Sequence, residues 1–369
     1  MKTLTGMILR PEGRIAAGKI SFGTRIESIS GATSAGRDLI LPGLIDLQVN
    51  GAGSRDVMGA SPGDLIAIGC RLAREGTTSW LPTAITAPLD RLDRVNAATI
   101  GAMEELSRGA GADSAAILGM HLEGPFISDR RLGVHPHFNV APRGEALRRV
   151  LAMRSLRLIT MAPELPGALT AIRRLASRGV AVSIGHTDAT LEEANRGIAA
   201  GARMFTHLFN AMRPMHHRDP GVIAAALAPS PALAAIIPDG VHVHPAMLGL
   251  AYRARGRAGV LIVTDKVAVR ARRKRAIGHD ASAKPDAAAR LADGRLAGGL
   301  ISMLDGVRLM VDKAGASIAD AGAMAAANPA HLIGATDRGR LMRGARADLL
   351  ILNSKLELKA VFLNGQEIG

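Results

Sequence analysis

The sequence has a single cysteine, Cys70, in 369 residues, so neither a disulfide framework nor a metal centre built from several cysteines can form within the chain. Aromatic residues are almost as scarce, at 2%. That disfavours proteins that bind nucleic-acid strands or glycan chains by stacking, which need several aromatic platforms. No run of eighteen apolar residues occurs, so no segment reads as a membrane span. The first twenty residues contain no apolar core of the kind a secretory signal needs, and a cytoplasmic location is expected. Acidic residues are outnumbered, with 32 Asp and Glu against 46 Lys and Arg and a net charge of +14. This balance favours an anionic partner, either a phosphorylated small molecule or nucleic acid, although a solvated basic surface produces the same number. The densest basic run, Arg270, Arg272, Arg273, Lys274 and Arg275, falls in the Ala- and Arg-rich stretch from Ala268 to Arg290. It reads as a long solvated loop, and nucleic acid is not an expected partner.

What is present is apolar. Hydrophobic residues make up 48% of the chain, and with so few aromatics the core must be built from Ala, Leu, Ile, Val and fifteen Met. The length suits one α/β barrel with a small accessory module.

Both ends are rich in short strands separated by turns. Met7 to Leu9, Arg25 to Ile29 and Asp38 to Leu41 mark the first forty residues; Ala347 to Leu352, and Leu358 to Leu363 before the turn Asn364-Gly365, mark the last thirty. Residues 1–41 and 339–369 are therefore expected to join in a small β-sandwich module around a barrel spanning 42–338. Within that middle, eight short apolar runs alternate with helical stretches: Ile45 to Val49, Thr78 to Ile85, Ala116 to Leu122, Leu156 to Met161, Val180 to Ile184, Met204 to Phe209, Leu233 to Ile237 and Val260 to Val263. The intervening segments, among them Asp64 to Glu75, Asp90 to Arg108 and Leu191 to Ala200, carry helix-period apolar residues. Eight is the number a closed (β/α)₈ barrel requires, and no G-x-G-x-x-G follows the first strand to suggest a doubly wound sheet.

The residues that end these runs are polar: Asp46, Gln48 and Asn50; His121 and Glu123; Glu164; His186; His207 and Asn210; Asp239 and His242; Asp265. In a barrel the strand ends share one pocket, so residues far apart in sequence converge. His186 and His207 close adjacent strands about 4.8 Å apart, near enough to grip one cation. Glu123 supplies a carboxylate from strand three, and two imidazoles with one carboxylate leave a position open for water, as catalytic zinc sites do. Asp265, ending strand eight, is placed to accept a proton across the pocket. A structural reading, in which Asp265 caps the following helix, would suit an isolated Thr-Asp pair.

The segments carrying these residues resemble, in order, those of the N-acetylglucosamine-6-phosphate deacetylases of the amidohydrolase superfamily. They are Leu41-Pro42-Gly43-Leu44-Ile45-Asp46-Leu47-Gln48-Val49-Asn50-Gly51, His121-Leu122-Glu123-Gly124-Pro125, Met161-Ala162-Pro163-Glu164, Gly185-His186-Thr187-Asp188, Thr206-His207-Leu208-Phe209-Asn210-Ala211, Asp239-Gly240-Val241-His242 and Thr264-Asp265, followed by Asp293-Gly294-Arg295-Leu296-Ala297-Gly298 and Asn328-Pro329-Ala330. The resemblance implies hydrolysis of an acetamide on a phosphosugar, with Asp265 as acid–base and His135 supporting the oxyanion. It implies one divalent ion held by Glu123, His186 and His207, zinc by default and iron as the alternative. Gln48 and Asn50 stand where the wider superfamily often has His-x-His, and amides are poor ligands for a second transition metal. Gln48, Asn50, His135, Asn210 and Ala211 would contact water or substrate, while His242 and Arg218 would bind phosphate, Arg218 reaching across a homodimer. A related N-acyl sugar phosphate such as the galactosamine epimer, a cyclic amide, or a barrel without catalysis are the alternatives. Lys266, Pro238 and Gly299 depart from the family pattern. Lys266 would depress the proton affinity of Asp265 if it faced the pocket.

Overall fold

The computed structural model describes residues 1–34, 36–270, 275–276, 281–283 and 287–369; Arg272, Arg273 and Lys274 of the basic run lie outside them. The two chain ends meet as expected. Lys2–Leu9, Ile15–Phe22, Ile26–Gly31 and Leu39–Pro42 join Leu349–Leu352, Leu358–Leu363 and Gln366–Ile368 in one mixed seven-stranded sheet. Leu39–Pro42 is the junction, parallel to Lys2–Leu9 and antiparallel to Leu349–Leu352. Alternating apolar residues give this sheet its own core of Ile8, Ile20, Phe22, Ile26, Leu349 and Phe362, with Phe22 and Phe362 edge to face at 5.5 Å between ring centroids. The hairpin that ends it turns at Asn364 and Gly365, both at positive φ, as a two-residue turn joining twisted strands demands.

The barrel strands are β1 (Leu44–Val49), β2 (Thr77–Ile85), β3 (Met120–Glu123), β4 (Leu156–Met161), β5 (Ala181–Ile184), β6 (Met204–Phe205), β7 (Leu233–Ile236) and β8 (Val260–Ile262), hydrogen-bonded in that order and parallel throughout. Closure comes where Asn50 and Gly51 donate their amides to the carbonyl of Lys266, at 2.7 and 3.1 Å. The outer helices start where the sequence provides caps: Ser61 with Asp64 opens Pro62–Arg74, Thr190 with Glu193 opens Leu191–Ala200, and Ser302 with Asp305 opens Met303–Ala314. Among the described residues, no helix is long and apolar enough to cross a membrane.

Two strands are shorter than their apolar runs. Strand three breaks at Gly119, whose φ of 132° and approach to the Ser155 carbonyl leave no room for a side chain, so Ala116–Ile117 pairs separately with β2. Strand six ends at Phe205 because His207, Phe209 and Ala211 all take positive φ and lift the chain off the sheet. The stretch after β8, expected as a loop, instead contributes Val269–Arg270, Arg275–Ala276, Ala281–Ala283, Ala288–Leu291 and Leu296–Gly299 to a small antiparallel sheet.

Inside the barrel, Ile45, Leu47, Leu81, Leu158, Met204, Leu233 and Leu261 fill the lower layers. Above them lies a polar layer. His121 meets Thr83 at 3.4 Å and Thr160 at 2.9 Å, Thr160 meets Thr206 at 2.7 Å, and Ser183 meets Thr206 at 2.6 Å. His121 therefore supports the rim rather than reaching it. Its burial lowers its pKa from 6.5 to about 4. The unfolded chain gains this proton near pH 6.5 and the folded chain only near 4, so stability attached to the neutral ring is complete above 6.5 and lost as pH falls towards 4. His121→Gln should remove up to about 3 kcal/mol of that acid-side loss. Denaturant midpoints of wild type and variant between pH 7 and pH 4 measure it, and parallel curves would contradict it.

Candidate active site

The rim residues are held by an unusual backbone. Just past β5, β6 and β8, His186, His207 and Asp265 adopt φ of 47°, 29° and 49°. Left-handed backbone costs a non-glycine residue on the order of 1 kcal/mol, and three such residues around one cavity mark a place where geometry has been kept against local preference. Each turn aims a side chain back over the strand ends instead of along them.

Three side chains converge there. Glu123 Oε1 lies 3.2 Å from His186 Nε2 and 3.0 Å from His207 Nε2, and the two nitrogens are 3.2 Å apart. All three residues are buried, and a ligand atom from each lies within 4.8 Å of the others. His186 Nδ1 sits 2.8 Å from the carbonyl oxygen of Arg131, which can only accept. The proton of a neutral His186 is therefore on Nδ1, and Nε2 presents a lone pair to the cluster. Two imidazoles and a carboxylate crowded at such distances call for a cation. The N₂O donor set suits a borderline divalent ion such as zinc. Burial works against the charge on Glu123, but the imidazoles of His135, His186 and His207 beside it hold its carboxyl well below the usual range.

Asp265 stands opposite, tied to the cluster by amides. Gln48 Nε2 donates to Glu123 Oε1 at 3.0 Å and to Asp265 Oδ1 at 3.2 Å, and Asn50 Nδ2 donates to Asp265 Oδ1 at 2.7 Å. Among the described residues, the buried Gln48 Oε1, Asn50 Oδ1 and His207 Nδ1 have no hydrogen-bond partner. Burial, with the neighbouring Glu123 carboxylate, pushes the Asp265 carboxyl up to about 8. Lys266 does not counter this, because its ammonium points away from the cavity to Glu75 at 2.6 Å and to the Ile301 carbonyl at 3.0 Å.

A cavity of about 260 Å³ opens over these groups. Asn50, Glu123, His135, His186, His207, Asn210, Ala211, His242 and Asp265 all line it. Gln48 lies fully buried beside it. His135 is anchored through Nδ1 to the Thr86 hydroxyl at 2.9 Å and faces Glu123 Oε2 from 3.6 Å. His242 Nδ1 pairs with Asp239 Oδ2 at 2.6 Å, and the other oxygen of Asp239 accepts the amides of Val241 and His242. Of the polar strand ends, Asp239 is thus a positioning group. Glu164 is another, accepting from Thr187 and Asp188. Asp46 is a third, buried against Thr264 at the barrel seam.

Arg218 is not brought to the cavity. It is exposed on the loop after β6, with Nη1 2.9 Å from His217 Nε2. Arg295 does line the cavity, donating to Asp293 and to the Gly133 carbonyl, and strand-end reasoning missed it because it follows no barrel strand. Its only sequence signal was the segment Asp293 to Gly298.

Comparison with known proteins agrees with this geometry. Residues 39–368 match the amidohydrolase family. The chain is 35% identical to the N-acetylglucosamine-6-phosphate deacetylase of Lysinibacillus sphaericus over 89% of its own length and 84% of the relative's. It is 34% identical to an N-acetylgalactosamine-6-phosphate deacetylase of Escherichia coli, over 96% and 93% of the two lengths. The crystal structure of the N-acetyl-D-glucosamine-6-phosphate deacetylase of Mycobacterium smegmatis superposes with a TM-score of 0.89 at 29% identity, covering both chains fully.

Zinc added to chelator-treated protein should bind with a stoichiometry of about one and raise the melting temperature, as ligand linkage requires. His207→Asn should lose both responses while remaining folded. Calorimetric titration checks this, and undiminished binding by the variant would move the site elsewhere.

Proposed function

Because the chain belongs to the amidohydrolase family and groups with its N-acetylglucosamine-6-phosphate deacetylases, we infer that it hydrolyses the acetamide of N-acetyl-D-glucosamine 6-phosphate to D-glucosamine 6-phosphate and acetate. The observation that carries this reading is the placement of Asp265, buried and linked through Gln48 to a Glu–His–His cluster at the mouth of one cavity.

In this reading Glu123, His186 and His207 hold one divalent ion, zinc before iron, which when bound would polarise the amide carbonyl and ease deprotonation of water. Asp265 takes a proton from the attacking water and returns it to the departing nitrogen. A carboxyl whose burial raises its proton affinity is suited to both halves of that task. Gln48 and Asn50 fix its orientation. His135, anchored through Nδ1, can offer Nε2–H to the oxygen on which negative charge develops. Asn210, Ala211 and His242 take the sugar and its phosphate. Arg218, turned away from its own cavity, is assigned to the phosphate of a neighbouring subunit in a homodimer, and a cytoplasmic location fits a phosphorylated substrate.

The galactosamine epimer is the second reading, favoured by the likeness to the Escherichia coli enzyme over nearly the whole of both chains. Amine release from the two N-acetylated hexosamine 6-phosphates, assayed with zinc present, separates the readings. No release from either would overturn both.

Asp265→Asn should reduce kcat by roughly 10²- to 10⁴-fold, the usual worth of a positioned acid–base, with zinc binding retained. Arg218→Ala should raise KM for the phosphorylated sugar and leave turnover of N-acetylglucosamine unchanged. Equal effects on both sugars would place the phosphate elsewhere.

A further inference from the structure

The substrate cavity shares a wall with a second one. Asn50, Ile85, Val134 and Val267 line both. Behind them lies a further space of about 120 Å³, bounded by Met58, Ala87, Pro136 and Phe138. Its two charged residues are engaged with one backbone segment: Asp56 accepts the amide of Met58 at 2.8 Å, and Arg91 donates to the Met58 carbonyl at 3.2 Å. Three of the four shared wall residues are aliphatic.

The wall lies beside the reacting groups. Asn50 is bonded to Asp265, Val134 directly precedes His135, and Thr86, which lines the second space, anchors His135. Asn210, Ala211, His242 and Arg295 line only the first cavity. An amide bound with its carbonyl at His135 and its sugar towards Asn210 and His242 therefore directs its acyl carbon at Ile85, Val134 and Val267.

We propose that this second space is an acyl chamber and that the enzyme hydrolyses N-acyl hexosamine 6-phosphates with aliphatic acyl groups longer than acetyl, propionyl and butyryl among them. The inference rests on the deacylase reading above. Roughly 10–15 Å³ of cavity holds one water-sized group, so the chamber accepts more than the one or two carbons by which these groups exceed acetyl. Each methylene that leaves water should tighten binding roughly threefold to fourfold, offsetting the side-chain movement needed at Val134 or Ile85.

The test compares N-acetyl-, N-propionyl- and N-butyryl-glucosamine 6-phosphate with the zinc-loaded full-length protein, following amine release. Propionyl and butyryl substrates should show kcat/KM within about tenfold of acetyl. A larger drop for both overturns the chamber while leaving deacetylation standing, whereas no release from any of the three sinks the underlying reading instead. Ala87→Val, which adds bulk in the second space alone, should lower the butyryl-to-acetyl ratio of kcat/KM at least tenfold, and an unchanged ratio overturns the proposal. If that buried substitution prevents folding, Phe138→Ala, at a half-exposed position, removes part of the chamber wall and should lower the same ratio.

Discussion

Everything at the rim depends on closing the sheet between its first and last strands. A parallel sheet left open there would expose an edge of unpaired amides and carbonyls, and its two outer strands would carry their polar ends apart. The amides of Asn50 and Gly51 close the seam on the carbonyl of Lys266. These are the residues next to the chemistry, since Asn50 also bonds the Asp265 side chain through its own amide nitrogen. Just below, Asp46 on β1 receives both the hydroxyl and the amide of Thr264. Burial pushes the Asp46 carboxyl up to about 6, against those hydrogen bonds. One strand junction thus serves both barrel closure and the orientation of the proposed proton acceptor.

The same economy runs around the cavity. Several groups that line the cavity are fixed by a hydrogen-bond partner: His186 by the Arg131 carbonyl, His135 by Thr86, His242 by Asp239, and Asp265 by Gln48 and Asn50. Arg131 is itself held, pairing with Asp188 at 2.7 Å. Because an imidazole has two distinct nitrogens, committing one of them to a fixed partner decides what the other presents. The left-handed backbone at His186, His207 and Asp265 sets where these rings and this carboxyl begin, and the partners set where they point.

Much of this was legible in the sequence, for reasons tied to particular residues. The apolar runs ending in Glu123, His186, His207 and Asp265 announced both the barrel and the Glu–His–His cluster at its mouth, because in a barrel the ends of separate strands share one pocket. The helices Pro62–Arg74 and Leu191–Ala200 lie where the helix-period stretches Asp64 to Glu75 and Leu191 to Ala200 placed them. Other features could not be read. The shortening of β6 depends on positive φ at His207 and Ala211, conformations those residue types do not advertise. His121 and Glu164 looked like site residues because sequence order does not separate a side chain within the barrel wall from one above it. The direction of Lys266 needed its partner Glu75, 191 positions away and just past the end of the helix Pro62–Arg74, to be brought alongside.

Gln48 and Asn50 bear on the proposal of a single metal ion. In a site with two cations, the second ion would draw Glu123 and Asp265 together and hold both ionised. Amides cannot supply that charge, but each can donate a hydrogen bond to a carboxylate without fixing its protonation state. Gln48 bridges the two carboxylates with one nitrogen, and Asn50 secures the nearer oxygen of Asp265. Asp265 is left buried beside a negative neighbour, with its affinity for protons raised rather than suppressed. A carboxylate clamped between two cations would lose that affinity and with it the ability to carry a proton from water to nitrogen. Amides rather than imidazoles on β1 thus fit the proposed roles, a proton-carrying Asp265 beside a single metal ion.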